Sequence, residues 1–292
     1  MSETKRKWGD RKDGTWINKT DSMHLFMPFL YPKRTDAEAV VQEEVDVAPL
    51  LDFVAAKNAQ NPEDKYTVFN AFTTAIMKTI TLRPQLNRFY KGGRLYQRNY
   101  LALAFVAKKK FAEGSEESLL FFKARETDTV TDLHDRIYKV LNRIRKKDEN
   151  DKTTDIIGVL CRFPRPIVYF LMRIFRILDF YGKMPNALIS DDPHFASVWI
   201  TNLGSIKLNA NYHHLNNWGT NSMFVVVGEM HDKVVPDGNG GVTVKKVLPF
   251  AITLDERITD GYYCSRSVKL LKYLLAHPEY LDRPAGEEVD FD

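Results

Sequence analysis

The chain has 292 residues, 44% of them hydrophobic, and a formal net charge of +4. That is enough chain for one large domain or two small ones with a real core. The weak, dispersed charge, with no basic stripe interleaved with aromatics, argues against a nucleic-acid partner. Two cysteines, Cys161 and Cys264, exclude a disulfide scaffold and have no metal spacing. They read as ordinary thiols of a reduced, cytoplasmic setting, and no metal is expected.

The start, MSETKRKWGDRKDG, is polar and lacks the apolar core of a signal peptide. Residues 1–15 are expected to form a mobile tail ahead of one domain over 16–292. EAVVQEEVD, residues 38–46, reads as a strand with partial alternation. Asp46 is placed to cap a helix from Val47 to about Ala59, with Pro49 in its first turn, where a missing N–H does no harm. Thr67 is placed to cap the next helix, VFNAFTTAIMKTITLR, which stops before Pro84.

Gly92-Gly93 separates two extended runs, and LYQRNYLALAFVAKK is read as a strand. SLLFFKARE is read as another. From Val130, the apolar residues Leu133, Ile137, Val140, Leu141 and Ile144 follow a helical period. KKDENDK reads as a solvated helix end and loop.

Residues 164–183, PRPIVYFLMRIFRILDFYGK, look membrane-like but are too short and too charged to span a bilayer. Arg173, Arg176 and Asp179 fall on one side of a helix, and the rest is apolar nearly all round. Such a helix is expected to be buried in protein or at a subunit contact; membrane-surface binding is the lesser expectation. ASVWITNL, SMFVVVGEM and VTVKKVLPFAITL read as strands, with PDGNGG as a hairpin turn between the last two. Ser265 to Ala276 forms a closing helix. The expected fold is α/β, a mixed sheet with packed helices.

Several segments, in order, resemble the catalytic domain of the dihydrolipoyl acyltransferases of 2-oxo acid dehydrogenase complexes, and chloramphenicol acetyltransferase, which shares that fold. EEVDVAPLLDFV is similar to the family's first strand and helix. VFNAFTTAIMKTITLRPQLN is similar to its helix ending in Pro-x-Leu-Asn. ASVWITNLGSI resembles its Ser-Asn-Leu-Gly strand, KVLPFAITLDERITDG its last strand and catalytic turn, and HPEYL its C-terminal ending. The resemblance implies a chloramphenicol acetyltransferase-like, trimer-forming fold with the active site between neighbouring subunits. CoA would enter from one side, as a thioester co-substrate, and a small-molecule acyl acceptor from the other. No lipoyl domain or Pro/Ala-rich linker pattern is seen, so a free-standing layout is expected. Residues 160–190 look like a helical insertion.

Acyl transfer from a thioester needs a base for the attacking hydroxyl or thiol and a donor for the oxyanion. The family's base is the histidine of His-x-x-x-Asp-Gly. Here Glu256 stands in that position, followed by Asp260 and Gly261. A carboxylate near its ordinary value, ~4.3, is a poor base, although burial can raise it. Glu256 is therefore either a changed catalytic residue or a structural carboxylate paired with Arg257 or another arginine. The resemblance puts Thr201 at the oxyanion-donor position; the alternative is a strand threonine chosen for β propensity. Asn202, Gly204 and Gly261 are the expected cofactor-binding positions. Asn202 and Gly204 would shape the turn, and Gly261 would permit a backbone that a β-carbon blocks. Asp260 would hold the turn through Arg34 or Arg257.

His213 and His214 stand in a loop that would line the acceptor side. One of them is a candidate displaced base with Glu256 behind it; the alternatives are surface or structural histidines. Trp199, Tyr212, Trp218, Tyr262 and Tyr263 are expected in the core, at a trimer contact or in an apolar pocket. Two functions stay open: an acyl-CoA-dependent acyltransferase with altered machinery, or a non-catalytic ligand-binding or assembly protein on the same scaffold.

Overall fold

The computed structural model describes residues 7–108, 117–147 and 152–291. In chain order these form β1 (Gly14–Trp16), α1 (Ser22–Leu30), β2 (Glu38–Asp46), α2 (Ala48–Gln60), α3 (Val68–Leu82), β3 (Arg88–Lys91), β4 (Arg94–Arg98), β5 (Leu101–Lys108), β6 (Glu117–Ala124) and α4 (Val130–Lys147). Then come α5 (Lys152–Leu160), α6 (Arg165–Phe180), α7 (Asn186–Ile189), β7 (Val198–Asn202), β8 (Met223–Val227), β9 (His231–Pro236), β10 (Val242–Asp255) and α8 (Gly261–Ala276).

The main sheet has seven strands, in the order β2-β10-β8-β7-β5-β6, with β9 paired to the first part of β10. The β5–β7 and β7–β8 pairs are parallel and the others antiparallel. A smaller antiparallel sheet, β1-β4-β3, stands apart from it. The expected mixed α/β sheet with packed helices is present.

Local chemistry sets the helix ends. The Thr67 hydroxyl accepts from the Asn70 N–H at 3.2 Å, and the Asn70 side chain accepts from the Thr67 N–H at 2.9 Å. This capping box satisfies donors that α3 leaves open. Asp46 accepts from the Ala48 N–H at 3.0 Å at the start of α2. Residues 70–80 of α3 are all buried, and apart from Thr73 their polar side chains find partners within the chain. Thr74 and Thr79 donate to carbonyls one turn back at 2.8 and 2.7 Å, and the Lys78 Nζ donates to the Pro284 carbonyl at 2.7 Å.

Strand alternation separates two apolar layers. Val198, Ile200, Met223, Val225, Val227, Phe250, Ile252 and Leu254 enter the core beneath the helices, where Phe72 of α3 meets Phe250 edge-on at 5.5 Å. Phe224, Val226 and Ala251 face the other way, with Leu215 and part of Trp199 over them. That second face carries part of the candidate chemistry.

Several expectations are corrected. The run from Leu95 to Lys108 is two strands in different sheets, broken by a bend at Asn99 and Tyr100. The Asn99 N–H donates to the Asp13 carbonyl and the Asn87 side chain to the Tyr100 carbonyl, so the chain turns away between them. The PDGNGG turn joins β10 not to β8 but to β9, a strand unread in the sequence because HDKVVP is short and opens on three consecutive polar residues with no alternation. Arg11 and Asp13, within the segment expected as a tail, are buried, and Arg11 pairs with both Asp13 and Asp179 at 2.8 Å. Most of KKDENDK lies outside the described residues.

Helix α6 is not buried in its own chain. Asp179 is its only buried residue, held by Arg11 and by Lys91 at 2.5 Å. Arg173 and Arg176 are exposed, as are Tyr169, Phe170, Ile174, Ile177 and Phe180. The expected burial of this helix within its own chain is therefore corrected. Among the described residues, no helix is long and apolar enough to cross a membrane.

Candidate active site

Strand β10 ends at Asp255, and residues 256–258 form a short 3-10 turn before α8. The Asp255 carboxylate is fully buried and is gripped by Arg257, whose Nε and one terminal nitrogen both donate at 2.7 Å. The Arg34 Nε lies 3.7 Å from the other side. Arg34 also donates to the carbonyls of Asn216 at 2.5 Å and Gly219 at 3.2 Å. Burial, opposed by Asp255, pulls the Arg34 guanidinium down to about 10.

Both arginines therefore serve Asp255 and leave Asp260 alone, which corrects the expected partners. Asp260 is exposed and caps α8, accepting from the Tyr263 N–H at 2.8 Å. Gly261 starts that helix without a positive φ, and a β-carbon there would meet nothing within 4 Å. Its expected steric role is not found.

Glu256 is half-buried, and its N–H donates to the Ala37 carbonyl at 2.9 Å. Among the described residues its carboxylate has no hydrogen-bond or ion-pair partner, because Arg257 is committed to Asp255. It lines a groove of about 1140 Å³ between α1, β2, α8 and the turn. Met27, Val41 and Val268 give the groove apolar walls, and Cys264 and Lys269 also face it. Burial, then the Asp260 charge, push the Cys264 thiol up.

His24 of α1 also lines this groove. Its Nδ1 lies 2.6 Å from Asp21 Oδ2, and Asp21 Oδ1 accepts the His24 N–H at 3.1 Å as the cap of α1. The Tyr90 hydroxyl donates to the His24 carbonyl, and Arg257 donates to the Tyr31 carbonyl at 2.7 Å. These bonds strap α1 over the turn. The sequence reading missed His24. Asp21 three residues ahead of it, in DSMHLFMPFL, is a helix-start signal that was available.

The other expected residues lie elsewhere. Thr201 and Val226 are register partners, as are Val226 and Ala251. Glu256 lies beyond the far end of β10, roughly 15 Å or more along the strand direction. Alternation also turns Thr201 to the face opposite Ile200, away from the helical layer. Asn202 accepts from the Ser205 N–H at 3.2 Å, shaping the turn after β7. A β-carbon on Gly204 would come within 2.4 Å of the Gly228 carbonyl oxygen, so this glycine is required by close approach.

His213 and His214 are exposed. The His213 ring stacks on Phe224 at 4.1 Å and on His214 at 4.7 Å. They thus share the Thr201 face of the sheet, and one chain does not bring them to Glu256. Trp199 stacks on Phe224, Trp218 packs on Phe195, and Tyr263 lies under Arg83 at 3.8 Å, whereas Tyr212 and Tyr262 are exposed. Cys161 is exposed and unpaired in any disulfide. Asp64, His134 and Asp135 bring ligand-type atoms within 4.8 Å of one another, outside the groove. There His134 stacks on Tyr66 at 4.1 Å and lies 3.5 Å from Asp64 and 3.4 Å from Asp135.

Residues 184–282 match the family of 2-oxoacid dehydrogenases acyltransferase (catalytic domain). The chain superposes on the cubic core of the pyruvate dehydrogenase multienzyme complex with a TM-score of 0.60 and 16% identity, covering 91% of this chain and 94% of that one. A probable dihydrolipoamide acetyltransferase from Listeria monocytogenes 4b F2365 gives 0.58 and 13%, covering 94% and 98%. Chloramphenicol acetyltransferase gives 0.53 and 12%, covering 90% and 99%. The chain has the acyltransferase-core fold. No curated protein matches it in sequence. The matched segment of the acyltransferase core runs through both the Thr201 strand and the Asp255–Gly261 turn.

Proposed function

We propose that the chain transfers an acyl group from a CoA thioester to a hydroxyl or thiol of a small-molecule acceptor, with Glu256 in place of the family histidine. The observation that carries this reading is the family match over 184–282, which includes both halves of the expected machinery. The groove beside Glu256 is large enough for a ligand, with apolar walls suited to a pantetheine arm and the exposed Lys269 at hand for a phosphate.

Thr201 and Glu256 lie on opposite faces of one sheet, so a complete centre needs two copies. One copy offers the Glu256 groove. Its neighbour offers Thr201, whose hydroxyl donates to the oxyanion as the thioester carbonyl becomes tetrahedral. A homotrimer is the assembly this reading expects, and the exposed apolar face of α6 is available for contacts between copies. Asn202 and Gly204 fix the turn that presents Thr201, and Asp260 holds α8 against the groove.

Calorimetry with acetyl-CoA, followed by loss of thioester absorbance in the presence of dihydrolipoamide, tests the proposal. Binding with turnover supports it, and the absence of both rejects it. Mixing Thr201→Val protein with Glu256→Trp protein, whose groove is blocked, unfolded and reassembled together, should recover activity that neither has alone if the centre is shared. The second reading, a non-catalytic binding protein, is favoured by the missing histidine at position 256. It predicts binding without turnover, and acetyl transfer gained only in Glu256→His.

A further inference from the structure

The groove beside Glu256 holds a histidine that the family signature does not supply. We propose that His24 is the general base of acyl transfer, oriented by Asp21, in place of the histidine absent at position 256. This inference rests on the acyltransferase reading above.

Three observations carry it. The first is the carboxylate contact. Asp21 divides its two oxygens, one accepting the His24 backbone N–H and the other lying 2.6 Å from Nδ1. An Nδ1–H held by a carboxylate leaves the lone pair on Nε2, which is the tautomer a base needs. The His24 backbone N–H, with burial opposing it and the His24 ring adding to it, lowers the Asp21 carboxyl to about 2, so the orienting group stays ionised.

The second is placement. His24 lines the same groove as Glu256 and Thr259, and its side chain is only 19% exposed. Among the described residues, Nε2 has no partner. The third is rigidity. Tyr90 donates to the carbonyl of His24 itself, and Arg257, from the family's own catalytic turn, donates to the end of α1. The helix carrying the new histidine is thus tied to the segment that lost the old one. Preorganisation of this kind is what a base requires.

In the reaction, Nε2 takes the proton from the acceptor hydroxyl or thiol as its oxygen or sulfur bonds to the thioester carbonyl carbon. The carbonyl electron pair moves onto oxygen. When the intermediate collapses, the carbon–sulfur bond breaks and the departing CoA thiolate takes the proton back from Nε2. Asp21 supports the imidazolium between the two transfers as a positioning residue.

The test uses the full chain with acetyl-CoA and dihydrolipoamide. His24→Gln should lower kcat about 10²- to 10⁴-fold while acetyl-CoA binding and thermal unfolding stay near wild type. The double variant His24→Gln/Glu256→His should recover at least about tenfold of that loss, a rescue that mere damage to α1 would not show. Asp21→Asn should lower kcat by about tenfold or more with KM little changed. Turnover in His24→Gln within twofold of wild type overturns the inference and leaves the acyltransferase reading standing. A wild-type protein that binds acetyl-CoA without turnover overturns the inference, and one that neither binds nor turns over overturns both.

Discussion

The two regions that carry the candidate chemistry are fixed in opposite ways. The turn after β10 is held by buried charge, Asp255 between Arg34 and Arg257, with α1 strapped across it and capped by the exposed Asp21. The turn after β7 and the loop over β8 are held by close backbone approach. Gly204 lies against Gly228, Gly228 against Ala210, and Gly219, at φ +72°, against the His194 carbonyl. A region locked by ion pairs tolerates changes of shape and fails when a charge is removed. A region locked by missing β-carbons does the reverse.

The largest expected effect tests the first half of that contrast. Asp255→Asn leaves two buried guanidinium groups without a counter-charge and should destabilise the fold by about 3–5 kcal/mol in denaturant unfolding. Next is Thr201→Val, which should cost about a hundredfold in kcat with unfolding unchanged if its hydroxyl meets the oxyanion. Gly204→Ala should cost about 1–3 kcal/mol, because the β-carbon meets backbone and cannot be relieved by a rotamer; a thermal melt equal to wild type would remove the close-approach argument. Acid tests α1. Asp21 is lowered to about 2 in the folded chain, so its contribution is complete above its ordinary value of ~3.9 and is lost as pH falls through about 2. The His24 ring signals in an NMR titration should report that loss below pH ~4, with no change in the α1 cap between pH ~5 and ~7. The smallest effect is expected from His213→Ala and His214→Ala, each within about twofold of wild-type turnover, since both residues are exposed and the base is assigned to His24. A large loss in either would return the displaced base to that loop.

Much of the scaffold was legible because its signals are local. The Thr67 cap, the stop at Pro84, the Gly92-Gly93 turn and the helical period from Val130 each depend on neighbours within a few residues. The family segments were legible for the same reason. Missed features depend on partners far along the chain. Arg34 and Arg257 find Asp255 instead of Asp260 or Glu256 because the fold buries the first carboxylate and exposes Asp260. Apolar character alone pointed α6 to a buried setting or a subunit contact, yet within its own chain its anchor is one buried aspartate gripped by Arg11 and Lys91. His24 gains its place only through Tyr90 and Arg257, which tie its helix across the turn from far along the chain.

The placement of Thr201 and the Glu256 groove on opposite faces of one sheet has a kinetic consequence under the proposed function. A lone subunit is idle whatever ligand it meets, so newly made chains cannot consume acyl-CoA before they find each other. Specific activity should then fall on dilution, with a midpoint that tracks the dissociation of the assembly measured by ultracentrifugation.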